Sequence, residues 1–161
     1  MDKLIIATNN KHKLKELREV LHPYFESILS LEEAGIQHET VEDAATFEGN
    51  ALKKAREIAC ISGCAALSDD SGLSVNALNG EPGVYSARYA GEPCNDRKNL
   101  ELVLEKMEGI KDRTACFVCV LALVTPSGEL TARGEVAGEL TYAPQGEGGF
   151  GHDQIFYITQ Y

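Results

Sequence analysis

The sequence has no run long and apolar enough to span a bilayer, which argues against a membrane-spanning helix. Its start, MDKLIIATNN, lacks the basic segment, apolar stretch and small-residue cleavage site of a secretory leader. The expectation is a soluble, cytoplasmic protein. An even cysteine set is also missing. The five thiols are Cys60, Cys64, Cys94, Cys116 and Cys119, and an odd count argues against a disulfide framework and for a reducing compartment. Positive charge is scarce: 15 Lys and Arg stand against 25 Asp and Glu, for a formal charge of -10. Such a chain binds nucleic acid and anionic membranes poorly, so neither is expected as a partner. A phosphate ligand would need a local basic or backbone-amide site and a divalent cation. Internal repeats and low-complexity linkers are absent too. What is present is 161 residues, 43% of them hydrophobic, enough for the core of one domain or of two lobes that share one.

Apolar periodicity organises the chain. KLIIAT (3–8) is unbroken and β-rich, which predicts a buried strand. NNKHKLKELREVLH follows, with Leu14, Leu17 and Leu21 at helical spacing, Asn9 or Asn10 as cap and Pro23 as terminator. FESILSL predicts a second strand, and EEAGIQHETVEDAA a polar loop. TFEGNALKKAREIACISG predicts a helix with Leu52, Ala55 and Ala59 on one face and Gly63 as its C-cap. CAALSDD predicts a short strand ending in an acidic turn, and the Gly-, Pro- and Asn-rich 71–91 predict irregular structure or short strands. Leu100, Val103, Leu104 and Met107 mark a third helix. TACFVCVLALVTPSGELTARGEVAGEL gives two long strands around Pro-Ser-Gly, and a glycine-rich loop then leads to an aromatic strand. Early alternation of strands and helices with a late hairpin predicts an α/β fold on a mixed sheet. Cys116 and Cys119 match C-x-x-C, but on a strand positions three apart face opposite sides. Core packing is expected there rather than a redox or zinc pair.

Five stretches carry chemistry. ATNNKHK (7–13) leaves a buried strand and opens a helix, whose free N–H groups and partial positive charge attract anions. It lacks the glycines of a Walker loop, and an ordinary capped helix would look the same. ETVEDAATFEGNALKKA gathers Glu39, Glu42, Asp43 and Glu48 before Lys53 and Lys54, a source of hard oxygen donors or simply a solvated acidic loop. In ALSDDSGLSV the neighbours Asp69 and Asp70 must face opposite sides of a strand, so only one reaches a given cleft and the other is free to cap an Asp-Ser-Gly turn. NGEPGVYSARYAG carries Arg88, suited to a phosphate or to a structural ion pair. GEGGFGHD lets backbone approach a ligand, with Phe150 for stacking and Asp153 as an acceptor, or it is a flexible turn.

In their order, TNNKHK, TFEGNALKKA, SDDSGLSV, NGEPGVYSARYAG and GGFGHD resemble the inosine triphosphate pyrophosphatase family over nearly the whole chain. That resemblance implies an elongated two-lobed α/β fold, with a mixed sheet flanked by helices, a nucleotide cleft between the lobes, and a homodimer. It implies Mg²⁺-dependent hydrolysis of non-standard purine nucleoside triphosphates (ITP, dITP, XTP) to the monophosphate and pyrophosphate. By the same resemblance Thr8, Asn9, Asn10, Lys11, His12 and Lys13 bind the triphosphate. Glu42 and Asp70 hold the metal, Asp70 also accepts a proton, and Ser71 contacts substrate. Phe150, Gly151, His152 and Asp153 form the base loop, with Lys53 and Arg88 as further phosphate contacts. The family pattern has Tyr-Asp-Pro where this chain has His152-Asp153-Gln154. It also continues into a lysine and a Ser-His-Arg motif beyond the position of Tyr161. The expectation is a single domain, short at its C-terminus, with base-reading donors lost and apolar surface uncovered. The alternatives are a phosphatase that releases orthophosphate and a nucleotide-binding or dimerisation module without turnover.

Overall fold

The computed structural model describes residues 3–159. Its elements run β1 (Lys3–Ile6), α1 (Lys11–Leu21), β2 (Ser27–Ser30), α2 (Phe47–Ser62), β3 (Ala65–Val75), α3 (Asp96–Lys106), β4 (Thr114–Thr125), β5 (Gly128–Leu140) and β6 (Phe156–Ile158), with short 3₁₀ turns between β3 and α3 and before β6. The six strands form one sheet in the order β2-β1-β3-β4-β5-β6. Strand β1 is parallel to both of its neighbours, whereas β5 and β6 are antiparallel, so the sheet is mixed. Among the described residues no helix is long and apolar enough to cross a membrane. The chain divides into two compact units, Met1–Asp70 with Val120–Arg133, and Ser71–Cys119 with Gly134–Tyr161.

In the first unit the period of two along β3 sorts its residues between two helices. Ala65 and Leu67 join Leu4 and Ile6 under Leu14, Leu17 and Leu21 of α1. Ala66, between them, joins Ile5 and Ala7 under Ile58 and Ala59 of α2. The α1 face is the one predicted. The α2 face differs: Phe47, Ala51, Ala55 and Ile58 are buried, while Leu52 is only half-buried. Alanines at 51 and 55 let the helix settle close to the sheet, so the larger Leu52 sits at the margin. Asn10 caps α1 by accepting from the N–H groups of His12 and Lys13, Thr46 caps α2, and Gly63 closes α2 at φ 68°.

The expected acidic turn does not form. Strand β3 runs unbroken through Asp69, Asp70, Ser71 and Gly72 to Val75. Turn propensity at Asp-Ser-Gly comes from side chains that bond their own backbone. Here both carboxylates find partners on other elements, so nothing local competes with the sheet.

The second unit is built around Leu73, Val75, Leu100, Val103, Met107, Ala115, Leu140 and Ile155. Phe117 and Phe156 meet edge to face, with centroids 4.6 Å apart. Arg113 is buried among backbone carbonyls, donating to Met107 at 3.0 Å and to Thr141 at 2.7 Å. Cys116 and Cys119 lie on β4 with different exposure, as strand alternation requires, but neither is a core residue. Cys116 is half-buried and Cys119 is exposed. The buried positions of β4 are Ala115, Val118, Val120 and Ala122, and the thiols occupy the places between.

Candidate active site

The first unit brings polar groups together around the end of its parallel strands. Strand alternation separates the adjacent aspartates, one toward each helix. Asp69, on the α1 side, accepts from the Lys13 ammonium at 2.9 Å, and its second oxygen is buried without a partner. It does not cap a turn; it holds the lysine in the first turn of α1. Thr8 Oγ1 accepts from Asn10 N–H at 3.1 Å, so the 8–13 turn is ordered from its own side chains before any ligand arrives. The start of α1 thus offers N–H groups, the positive end of the helix dipole and a positioned ammonium together. An open cavity of about 470 Å³ borders Thr8, Asn9, Asn10 and Lys11.

Asp70, on the α2 side, is 7% exposed and accepts from Asn50 Nδ2 at 3.0 Å. Burial drives its carboxyl up to about 6, against the lowering effect of the Asn50 hydrogen bond and of the Lys54 charge; the negative charge of Glu42 adds to the rise. Lys54 Nζ stands 2.6 Å from Glu42 Oε1. Lys53, by contrast, is committed to the Val41 carbonyl at 2.7 Å and to Asp43 at 2.8 Å. Of these two lysines it is Lys54 that acts electrostatically on Asp70, together with Lys13 from α1. Asn50 was missed. It is 1% exposed, and its side chain both accepts from Ala44 N–H at 2.9 Å and donates to Asp70. The face predicted from Leu52, Ala55 and Ala59 lies on the other side of the helix, so nothing in that pattern marked the amide.

Among the described residues no group of three or more His, Cys, Asp or Glu side chains converges as a closed metal cage. Glu42 and Asp70 supply the kind of donor a small hard cation takes, one or two carboxylates with water and phosphate oxygens filling the rest. The ammonium already paired with Glu42 marks this place as one that favours positive charge. These residues fit a divalent cation of that type.

In the second unit Ser71 is a half-buried residue of β3, and Arg88 lies over the Tyr85 ring, 5.6 Å from its centroid. The glycine-rich loop is braced rather than floppy. Phe150 N–H donates to Asp153 Oδ2 at 3.0 Å, and Gly151 N–H donates to Asp96 Oδ2 at 3.1 Å. His152 is buried, with Nε2 3.2 Å from the Ser86 carbonyl and Nδ1 enclosed without a partner. Since a carbonyl only accepts, Nε2 carries the hydrogen. Burial pushes this imidazole below its ordinary value, partly countered by the Ser86 bond. The family resemblance puts His152 in the base loop; in the structure its Nε2 bonds the protein's own backbone. Gly149 sits at φ 80°, and a Cβ there would collide with the Asp153 side chain, which explains the glycine.

Residues 4–161 match the Ham1 family. Over 157 residues the chain is 52% identical to the dITP/XTP pyrophosphatase of Exiguobacterium sp., covering 97% of this chain and 80% of the relative. Against the dITP/XTP pyrophosphatase of Bacillus subtilis it is 46% identical, covering 98% and 81%. The solved structure of the Staphylococcus aureus Ham1 protein superposes with a TM-score of 0.89 at 39% identity, covering 99% of this chain and 82% of that one. The chain belongs to the Ham1 family.

Proposed function

We propose that this protein hydrolyses dITP and XTP, and ITP with them, to the nucleoside monophosphate and pyrophosphate, and so clears non-standard purines from the nucleotide pool. The single observation that carries the chemistry is Asp70: a buried carboxylate raised to about 6, beside Glu42 and Lys54, in a chain about half identical to enzymes with this activity. A group with that pKa is ionised at neutral pH, yet basic enough to take a proton from water.

The roles follow from the placement. The N–H groups at the start of α1, with Thr8, Asn9, Asn10, Lys11, His12 and Lys13, receive the triphosphate. Asp69 keeps Lys13 extended toward that charge. Asn50 holds Asp70 Oδ2, leaving Oδ1 to accept the proton of the attacking water. As the water oxygen bonds to the α-phosphorus, the anhydride bond to the β-phosphate breaks and pyrophosphate leaves with the bonding pair. Lys54 and Lys13 offset the charge that gathers on the phosphate oxygens. Glu42 and Asp70 would hold Mg²⁺, which neutralises phosphate charge and orients water when bound. Lys53 and Arg88 remain further phosphate contacts in this reading, and Ser71 a substrate contact.

The base is assigned to the second unit. Phe150 offers a stacking face, and the backbone of Gly151 and the carboxylate of Asp153 offer polar groups for its edge. A donor set for the 6-oxo group would meet the amino group of adenine with another donor. Sites built on such bonds discriminate by about 10⁴-fold. A homodimer in the cytoplasm is the state proposed for the working enzyme.

Product analysis tests the whole reading. With Mg²⁺ and dITP, XTP, ITP, ATP or GTP, the expected products are monophosphate and pyrophosphate from the first three, with ATP spared. Orthophosphate as first product would make the protein a phosphatase. Bound nucleotide without any product would make it a binding module.

A further inference from the structure

The segment between β2 and α2 has no regular structure from residue 36 to 44, yet it carries Glu42. A backbone without a ladder must be held by something else if its carboxylate is to be presented in one place. The holding groups all lie on one stripe of α2. Glu57 takes the far end: one carboxylate oxygen accepts from Thr40 Oγ1 at 2.7 Å and from His38 Nε2 at 2.6 Å. Lys53 takes the middle, through the Val41 carbonyl and Asp43. Lys54 takes Glu42 itself, and Asn50 takes the N–H of Ala44. Positions 50, 53, 54 and 57 are spaced i, i+3, i+4, i+7, so they form a single helix face. The loop is laid antiparallel along that face, 38 and 40 at residue 57 and 44 at residue 50. The two hydrogen bonds from His38 and Thr40 hold the Glu57 carboxyl below its ordinary range, so at neutral pH it is ionised and accepts both.

The geometry points to Glu57 as a positioning residue: by anchoring the far end of the 38–44 segment it presents Glu42 alongside Asp70 and thereby sets the affinity for a divalent cation. The inference rests on the reading of Glu42 and Asp70 as cation donors. Glu57 itself touches neither of them in the structure. Its hydrogen-bond partners are His38 and Thr40, and the Lys53 charge also acts on it, so its influence reaches the cation through the loop and the lysine that helps to hold it.

The test uses the whole chain and Mn²⁺ alone as probe, with affinity read from water-proton relaxation and loop order from amide hydrogen exchange over 38–44. Glu57→Ala is expected to speed that exchange and to weaken Mn²⁺ by about 10-fold, the usual consequence of losing a group that orients a metal ligand. The Mg²⁺ concentration for half-maximal turnover should rise by the same factor, with kcat at saturating Mg²⁺ nearly unchanged. Glu57→Gln, whose amide oxygen still accepts from both donors, should restore Mn²⁺ affinity. Thr40→Val, which loosens the anchor from the loop side, should move both readouts in the same direction by less. A merely structural Glu57 would lower the melting temperature and leave Mn²⁺ affinity where it was; that result, or unchanged exchange over 38–44, overturns the inference. Glu42→Gln separates the two levels of the argument. If it leaves Mn²⁺ affinity unchanged, the cation-donor reading fails. If it weakens Mn²⁺ while Glu57→Ala does not, only the positioning role fails.

Discussion

The two units solve the problem of presenting a ligand-facing group in different ways. The first does it with charge. Lys13 meets Asp69, Lys54 meets Glu42, Lys53 meets Asp43, and Asp70 is left buried and hard to ionise. The second does it with backbone bonds. Its loop is held by two N–H groups on aspartates and by a neutral imidazole on a carbonyl. Charge is what phosphate and metal chemistry needs, and it costs stability when buried. A base edge needs fixed distances more than field, and backbone bonds supply those at little electrostatic cost. The contrast teaches where each unit should be sensitive: the first to the loss of a charge, the second to a change of shape.

The largest effect expected is at Asp70. Asp70→Asn should cut turnover by roughly 10³-fold, because the amide cannot accept the proton. The same change should stabilise the metal-free protein. Raising a carboxyl from 3.8 to about 6 corresponds to about 3 kcal/mol of unfavourable burial at neutral pH. The neutral amide escapes that penalty and can still accept from Asn50. The sign fixes the pH window. Between about 6 and 3.8 the native state binds more protons at this site than the unfolded chain, so its penalty fades as pH falls through 6 and is gone below 3.8. Melting curves of the variant and the parent should therefore differ most above pH 6 and converge below pH 4. A bound divalent cation favours the ionised carboxylate, so with Mg²⁺ the acid limb of the parent's activity should lie below the metal-free value. A variant that melts lower than the parent at pH 7.5 would break the claim that this unit holds an electrostatically costly group.

How much of this was readable beforehand follows from what each feature depends on. The leucine face of α1, the apolar face of α3 and the caps at Asn10 and Gly63 are local, and they stood in the sequence as spacing and residue type. The length of β3 was not local. Asp69-Asp70-Ser71-Gly72 has the composition of a turn, and only the arrival of Lys13 and Asn50 from two helices turns it into strand. The order of the motifs marked Glu42 and Asp70 as a pair, but not which lysine faces them. Lys53 and Lys54 are neighbours on one helix, about 100° apart around its axis, and their partners lie on a loop with no period to read. The burial of His152 was hidden for the same reason: its partner is a carbonyl, and every residue has one.

The next effect is smaller and opposite in sign. His152 is buried neutral, with its ionisation held below the ordinary imidazole value. Its contribution is full above that ordinary value and is lost as pH falls toward the depressed one, because the unfolded chain then binds the extra proton. Acid thus relieves Asp70 and loads His152. Asp96 and Asp153 are the charges that act on the imidazole, and both favour its proton, which moderates the loss. His152→Gln keeps an N–H for the Ser86 carbonyl but cannot titrate. It should cost about 1 kcal/mol at pH 7.5, through imperfect packing, and remove the acid-dependent loss below pH 6.5. Chemical denaturation at the two pH values checks both halves. An unchanged acid response would mean that the second unit's proton balance lies elsewhere.

The smallest perturbation gives the sharpest comparison, since it adds one carbon to each unit. A Cβ on Gly49 would meet the Ala44 side chain at 2.8 Å and Thr46 Oγ1 at 3.0 Å. Ala44 cannot swing aside by rotation, so the 38–44 segment must shift, and Glu42 with it. A Cβ on Gly149 would meet the Asp153 carboxylate and, at 2.8 Å, the Asp153 Cβ, which no rotation moves, so the backbone at 153 must shift and the bond from the N–H of Phe150 is disturbed; the positive φ adds strain of about 1 kcal/mol. Gly49→Ala should therefore raise the Mg²⁺ requirement several-fold and leave the ratio of kcat/KM for XTP over ATP unchanged. Gly149→Ala should lower that ratio several-fold and leave the Mg²⁺ requirement alone. Both ratios come from steady-state kinetics on one preparation of each variant. If either substitution moved both quantities together, the division of labour between charge in one unit and backbone geometry in the other would be wrong. The two units would then have to be treated as one coupled site.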